Sequence, residues 1–216
     1  MKTDRELKSQ VTAELDWDPA VKATAIGVAV TDGIVTLTGH LDTLAEKEAA
    51  TRAVRRIAGV KAVAVELEVR LTIPHKRTDT EIAAGAEHAL RWNTLIPVES
   101  IRLTVEHGCV TLQGKVAWEF QRRAAARAVL PLMGVVAIHN EITLNASPQI
   151  ADVAQRIEDA LTRQAMREAT HVHVAVEGAT VKLTGLVNSW HDREAIGSVA
   201  WSAPGVRDVV NELLSV

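Results

Sequence analysis

Gly33-Ile-Val-Thr-Leu-Thr-Gly39 decides how this chain is read, because the phrase returns twice. It comes back as Gly108-Cys-Val-Thr-Leu-Gln-Gly114 and, one residue longer, as Gly178-Ala-Thr-Val-Lys-Leu-Thr-Gly185. The closing glycines Gly39, Gly114 and Gly185 are 75 and 71 residues apart, and a second trio, Gly59, Gly134 and Gly205, follows each by 20. Leu15, Leu90 and Leu161 keep the same offsets, as do Val30, Val105 and Val176. Self-similarity at a fixed period means repeated structural units.

The residues around the phrase spell out one unit. Ile26, Val28 and Val30 alternate as a strand, and so do Ile101, Leu103 and Val105. Asp32-Gly33 and His107-Gly108 place Gly second in a two-residue turn, which suits type I′. Gly178-Ala179 places it first, which suits type II′, so one hairpin is made with two turn types. Val35-Thr-Leu37, Val110-Thr-Leu112 and Val181-Lys-Leu183 form the return strand. The closing Gly is expected to let the chain bend into a second helix, Leu44 to Ala58 in copy one, which Gly59 ends as a C′ residue. Upstream, Thr3-x-x-Glu6 and Thr78-x-x-Glu81 are capping boxes, and Ser147-Pro148 is the corresponding start in copy three. Leu7, Val11, Leu15, then Ile82, Ala86, Leu90, then Val153, Ile157, Leu161 give each first helix an apolar stripe. A last strand carries Val63, Val65, Leu67 and Val69, with Ile138, Ile142 and Leu144 matching in copy two.

The expected fold class is therefore α+β: three tandem αββαβ units, each a three-stranded mixed sheet with two helices packed on one face. The second helix crosses over, so the last strand can run parallel to a neighbour. The units span 1–72, 76–145 and 147–216, with linkers short enough that the domains touch.

Composition excludes several classes. Hydrophobic residues make up 47% and charged residues 24%, a globular balance that rules out disorder. The longest run without Asp, Glu, Lys or Arg is 13 residues, Ala128 to Asn140, short of the about 18 a membrane helix needs. The acidic N-terminal stretch Met1-Lys2-Thr3-Asp4-Arg5-Glu6 lacks a signal-peptide core. A lone Cys109 cannot pair within the chain. Together these two features give the expectation of a cytoplasmic protein, or of an already trimmed product. A net charge of −3 and strands without aromatics argue against nucleic acid as partner.

At this point the sequence resembles the BON domain family (bacterial OsmY and nodulation), with three tandem copies of OsmY-like type. The resemblance rests on Val-Thr-Leu-x-Gly, on Gly-Val 20 residues later, and on Asn140-Glu141-Ile142 and Asn211-Glu212-Leu213, where copy one has Val65-Glu66-Leu67. Leu15-Asp-Trp17-Asp18-Pro19 and Leu90-Arg-Trp92-Asn93 add to it. It implies the αββαβ fold, a link to osmotic and envelope stress, no catalytic residues, and binding to phospholipid surfaces. One relative that adds a LysM module binds potassium, and this sequence has no such segment.

Searching for chemistry directly returns no nucleophile elbow, phosphate loop, dinucleotide fingerprint or His-Glu-x-x-His. Cys109 lies beside a hairpin, with only His107 near it in sequence. His171-Val-His173 puts two imidazoles on one strand face, too few for a structural zinc. We expect no enzyme, no cofactor and no metal. The tryptophans carry the functional expectation. Trp17 and Trp92 share a repeat position at the end of helix one, and Trp118 and Trp190 open helix two. Trp92 and Arg91, with Trp118, Arg122 and Arg123, form the expected contact with an anionic phospholipid membrane surface, alongside Phe120 and Arg127. The middle copy is the most favourable, with 8 basic and 7 acidic groups over residues 74–145. The alternative buries the tryptophans between domains and makes the chain a soluble, holdase-like module whose partners are other proteins. A small-ion or ligand sensor is a further alternative, and the sequence leaves the oligomeric state open.

Overall fold

The computed structural model describes residues 2–145, 153–163 and 172–215. The expected Ser147-Pro148 start and His171 lie outside these residues.

The first unit begins with α1 (Asp4–Trp17), and the second with α3 (Asp79–Arg91). Both starts are true capping boxes: the Glu6 N–H donates to Thr3 Oγ1 at 3.3 Å while the Thr3 N–H donates to Glu6 Oε2 at 2.8 Å. Thr78 and Glu81 repeat this with the same distances. Reciprocal capping satisfies helix-end donors that would otherwise lack partners. The third unit enters through α5 (Val153–Arg163).

Each hairpin follows the α-helix. In order they are β1 (Ile26–Thr31) with β2 (Ile34–Leu41), β4 (Ile101–Glu106) with β5 (Cys109–Val116), and β7 (Val172–Glu177) with β8 (Thr180–Val187). The turns are those the glycine positions imply. Asp32 and Gly33 have φ of 53° and 80°, and His107 and Gly108 have 50° and 77°. In copy three Gly178 alone takes positive φ, at 63°, and Ala179 does not. The second helices α2 (Leu44–Arg55), α4 (Glu119–Val129) and α6 (Trp190–Ser202) cross to β3 (Ala62–Val69), β6 (Ala137–Leu144) and β9 (Asp208–Ser215). The central strand of each sheet pairs antiparallel on one side and parallel on the other. Leu37, for example, lies opposite Val28 and Val65.

Strand alternation sends every second residue of the central strand under the helices. Val35, Leu37, Val110, Leu112, Val181 and Leu183 are all fully buried, and the three first-helix stripes close over them. Each fully buried side chain of this kind contributes about 1.5–3 kcal/mol, so each unit carries its own core. Two residues of copy one cross over: Leu44 of α2 is buried in the core of copy two, and Val69 of β3 packs against it.

Two expected glycine roles are corrected. Gly39 and Gly114 do not bend the chain into a helix; they sit inside β2 and β5, which run on to Leu41 and Val116. Their φ values are 133° and 143°, and a Cβ would stand 2.1 Å from the Ala25 carbonyl oxygen or 2.0 Å from that of Ser100. Close backbone approach is what demands glycine. Nor is Gly59 the C′ residue of α2, because the helix ends at Arg55 rather than Ala58. The Ile57 N–H bonds to the Val54 carbonyl, tightening the last turn, and Val60 then bonds back to Ile57. Gly59, with φ 94°, is the third residue of that turn, where a type II geometry requires positive φ. Gly134 and Gly205 do the same at 89° and 91°, the latter after Pro204.

Candidate functional site

The three second helices meet. Position by position, Leu44, Glu119 and Trp190 are counterparts at the first turn, and all three face the junction. Leu44 reaches the copy-two core. Arg55 of α2 donates to Glu194 of α6 at 2.7 Å, and its guanidinium carbon lies 5.9 Å from the Trp190 ring centre. Between α4 and α6, Arg123 donates to Ser198 Oγ at 2.9 Å, while Arg122 stacks over Trp201 at 5.2 Å. Glu119 anchors both of these arginines: Oε2 is 2.7 Å from Arg122 Nε and Oε1 is 3.1 Å from Arg123 Nε. It is 6% exposed; Oε1 accepts a hydrogen bond from Arg123, whereas Oε2 has the Arg122 charge beside it but accepts no hydrogen bond.

These helices enclose a cleft of about 620 Å³. Its charged lining comprises Arg52, Arg55, Arg122, Arg123 and Arg127 against Glu48, Glu119 and Glu194. Leu44, Leu130 and Ile138 supply apolar wall. A second cleft of about 350 Å³ lies between α4 and α6, lined by Trp118, Phe120, Arg123, Ser198, Trp201 and Pro204 among others.

Trp118 occupies the N-cap position of α4, where copies one and three have Thr43 and Ser189. Those hydroxyls accept from Glu46 N–H at 3.2 Å and Asp192 N–H at 3.1 Å. An indole cannot accept, so Gln121 Oε1 instead takes the N–H groups of Ala117 and Trp118, both at 3.0 Å. An aromatic at a cap position is a cost that placement over the α4–α6 cleft explains.

The residues expected to form one surface fall into two places. Arg122, Arg123 and Trp118 belong to the domain junction. Trp92 caps the C-terminal end of α3, 76% exposed, and its ring lies 5.4 Å from that of His88. Arg91 beside it is exposed and pairs with Glu87. Leu95, three residues on, is also exposed. The repeat-equivalent Trp17 is 82% exposed. Cys109 Sγ is 3.9 Å from His139 Nδ1 across β5 and β6. Among the described residues no group of three or more His, Cys, Asp or Glu is placed to hold a metal ion.

The BON domain matches three times, over residues 3–70, 78–146 and 149–215. The chain belongs to the BON domain family. Osmotically-inducible protein Y of Escherichia coli (strain K12) is 24% identical over 143 residues, covering 64% of this chain and 71% of that protein. Among solved structures, the C-terminal domain of CdsD, a structural protein of the Type III secretion system of Chlamydia trachomatis, aligns over the whole of both chains at 16% identity with a TM-score of 0.27. A second CdsD structure covers 98% of this chain and 92% of its own at the same identity and TM-score.

The Asn-Glu-Ile/Leu ending of BON domains two and three has a structural reason here. Asn140 Nδ2 donates to the Arg122 carbonyl at 3.0 Å, and its Oδ1 accepts from the Ile142 N–H at 3.3 Å. Asn211 repeats this with Arg193 and Leu213 at 2.9 and 3.2 Å. The amide thus ties the last strand to the second helix. BON domain one, with Val65 there, makes the tie from the helix side, where Lys47 Nζ donates to the Leu67 carbonyl at 2.8 Å.

Sequence reasoning expected the domains to touch, with tryptophans between them as one alternative, but did not find the arginine and glutamate faces that meet. Arg52 with Arg55, and Arg122 with Arg123 and Arg127, mark one face of α2 and of α4 by their spacing. No signal within a single repeat says which neighbouring domain such a face meets.

Proposed function

We propose that this BON chain is a non-catalytic, stress-related binding protein that attaches reversibly to anionic phospholipid surfaces through the exposed end of α3. One observation carries the reading. Trp92 stands 76% exposed, with its repeat counterpart Trp17 at 82%. A large indole left open to water at matching places in two domains is suited to the headgroup layer, where an apolar body and a polar N–H both find partners. Leu95 adds apolar area and Arg91 adds a cation at the same tip. Peripheral attachment of this kind combines buried apolar area with attraction to anionic lipid. No described helix is long and apolar enough to cross a membrane. The relative in Escherichia coli is named for osmotic induction, which supports the stress association.

A second reading, docking of another protein, is favoured by the cleft between α4 and α6, where Trp118 and Phe120 stay 42% and 52% exposed.

Co-sedimentation with phosphatidylglycerol-rich and with phosphatidylcholine vesicles, at low and physiological salt, separates the two. The lipid reading expects salt-sensitive binding to the anionic vesicles alone, reduced in Trp92→Ala without a change in melting temperature. Undiminished binding by Trp17→Ala/Trp92→Ala would remove the tips from the account. No binding by the wild type leaves the protein-docking reading.

A further inference from the structure

We infer that the cleft among α2, α4 and α6 is a binding site for a compact, multiply charged anion of the phosphate class. The site is separate from the Trp92 tip and is lined by residues of all three BON domains, its arginines coming from the first two.

Arg55, Arg122 and Arg123 are committed, to Glu194 in the first case and to Glu119 in the others. Arg52 and Arg127 make no ion pair or hydrogen bond among the described residues, yet both line the same cleft. Arginines that served only to glue the domains together would be expected to hold a carboxylate each. Five guanidinium groups face three carboxylates, so the lining carries a net charge of +2. One of the committed cations also lacks an acceptor: Arg55 Nε is buried without a hydrogen-bond partner. A buried donor of this kind favours an acceptor oxygen from elsewhere.

Chemistry then narrows the ligand. A guanidinium presents a planar fork of N–H donors that matches the oxygens of phosphate and stays charged at all accessible pH. Two such forks from two domains favour a ligand with more than one anionic group. The cleft volume of about 620 Å³ falls in the range of small-ligand sites. The apolar wall of Leu44, Leu130 and Ile138 lowers the local dielectric and strengthens each contact. Phosphate oxygens of this kind occur on a soluble metabolite and on a lipid headgroup.

The test uses the full chain and inorganic pyrophosphate, titrated calorimetrically at fixed ionic strength so that screening stays constant. The variant is Arg52→Gln/Arg127→Gln, two exposed side chains whose loss leaves the Glu119 pairs intact. Arg5→Gln/Lys8→Gln on α1 removes the same charge elsewhere. Pyrophosphate binding that weakens by about tenfold or more in the first variant and stays unchanged in the second supports a soluble ligand. The vesicle assay runs in parallel. If pyrophosphate does not bind, but Arg52→Gln/Arg127→Gln loses anionic-vesicle binding that Arg5→Gln/Lys8→Gln and Trp92→Ala both keep, the ligand is a headgroup. Indifference of both assays to Arg52→Gln/Arg127→Gln, or equal losses in the charge-matched control, overturns the site. A failure of the Trp92 reading leaves these outcomes unaffected.

Discussion

Asp79 Oδ1 accepts the backbone N–H of Gly108 at 2.9 Å, and its other oxygen accepts that of His107 at 2.8 Å. The first residue of α3 therefore clamps the turn of a hairpin 28 residues away. Asp4 does the same to Asp32 and Gly33, at 2.7 and 2.9 Å. A left-handed turn points its two amides outward, and a carboxylate at a helix N-terminus can take both. Asp79→Ala should cost about 1–2 kcal/mol, the value of charge-assisted hydrogen bonds discounted for partial exposure. Urea unfolding would measure it, and a midpoint equal to wild type would mean water replaces the carboxylate at no cost.

Gly114→Ala should be worse than a helix-interior Gly→Ala change is good. The added methyl would meet the Ser100 carbonyl oxygen at 2.0 Å, on a residue with φ of 143°. β4 and β5 would have to separate or bend. A loss above about 2 kcal/mol follows from the clash and the backbone strain together. Gly85→Ala is the matched control, since a Cβ there meets nothing within 4 Å and the residue lies inside α3. That change should stabilise by about 0.5–1 kcal/mol.

These two glycines show where sequence was legible and where it stopped. The repeat offsets exposed the α-helices and strands, because a hairpin turn and an amphipathic helix each have local signatures, but not the short 3-10 turns at Ala23–Ala25, Ile73–His75 and Val98–Ser100. The turn types of all three hairpins followed from the place of one glycine. Gly114 was visible as a repeated glycine, but its reason is a carbonyl on the preceding segment, which only tertiary structure reveals. Trp17 and Trp92 stood out by position, yet periodicity does not tell an open helix end from one covered by a neighbour. Nothing in the sequence around Glu119 marks it as buried. It lines the cleft between α4 and α6, and α6 begins 71 residues further along the chain.

The capping boxes give the protein a pH response with a definite sign. Glu81 is held below its ordinary value of 4.5, first by the Thr78 backbone N–H and then by the Thr78 side chain. Glu6 is lowered in the same way by Thr3. A carboxyl depressed in the folded state stabilises fully above its unfolded value and stops doing so as pH falls through the folded one. The contribution is therefore complete at neutral pH and fades below 4.5. Glu81→Gln should lower the melting temperature at pH 7 and narrow the gap between wild type and variant at pH 3. A gap independent of pH would assign the effect to shape rather than charge.

Tryptophan emission should divide by position. Trp17 and Trp92 are open, whereas Trp190 and Trp201 lie against arginines at the junction. Acrylamide should quench the wild type in two phases. Trp17→Phe/Trp92→Phe should lose most of the accessible phase, leaving the part owed to the 42% exposed Trp118, and shift the remaining emission to the blue. Unchanged quenching in that variant would mean the helix ends are covered in solution, by a partner copy or by another domain.

Glu119 tests whether the junction is a joint or a chance contact. Its carboxylate holds Arg122 and Arg123, and Arg123 in turn reaches Ser198 in α6. Removing one partner of a fully buried pair costs about 3–5 kcal/mol. Here the arginine side chains remain 31% and 37% exposed, so water recovers part of that and about 1–3 kcal/mol is expected for Glu119→Ala. The loss should be uneven. The core of domain two does not include Glu119, so its own strands should keep their hydrogen-exchange protection. Protection should fall at the facing surface of α6, and calorimetry should resolve a separate transition for domain three. Ser198→Ala removes the inter-domain bond while leaving both ion pairs, and should give the same uncoupling in weaker form. If Glu119→Ala destabilises domain two throughout and leaves α6 protected, the carboxylate serves its own helix and the cleft among the three second helices is not held by it.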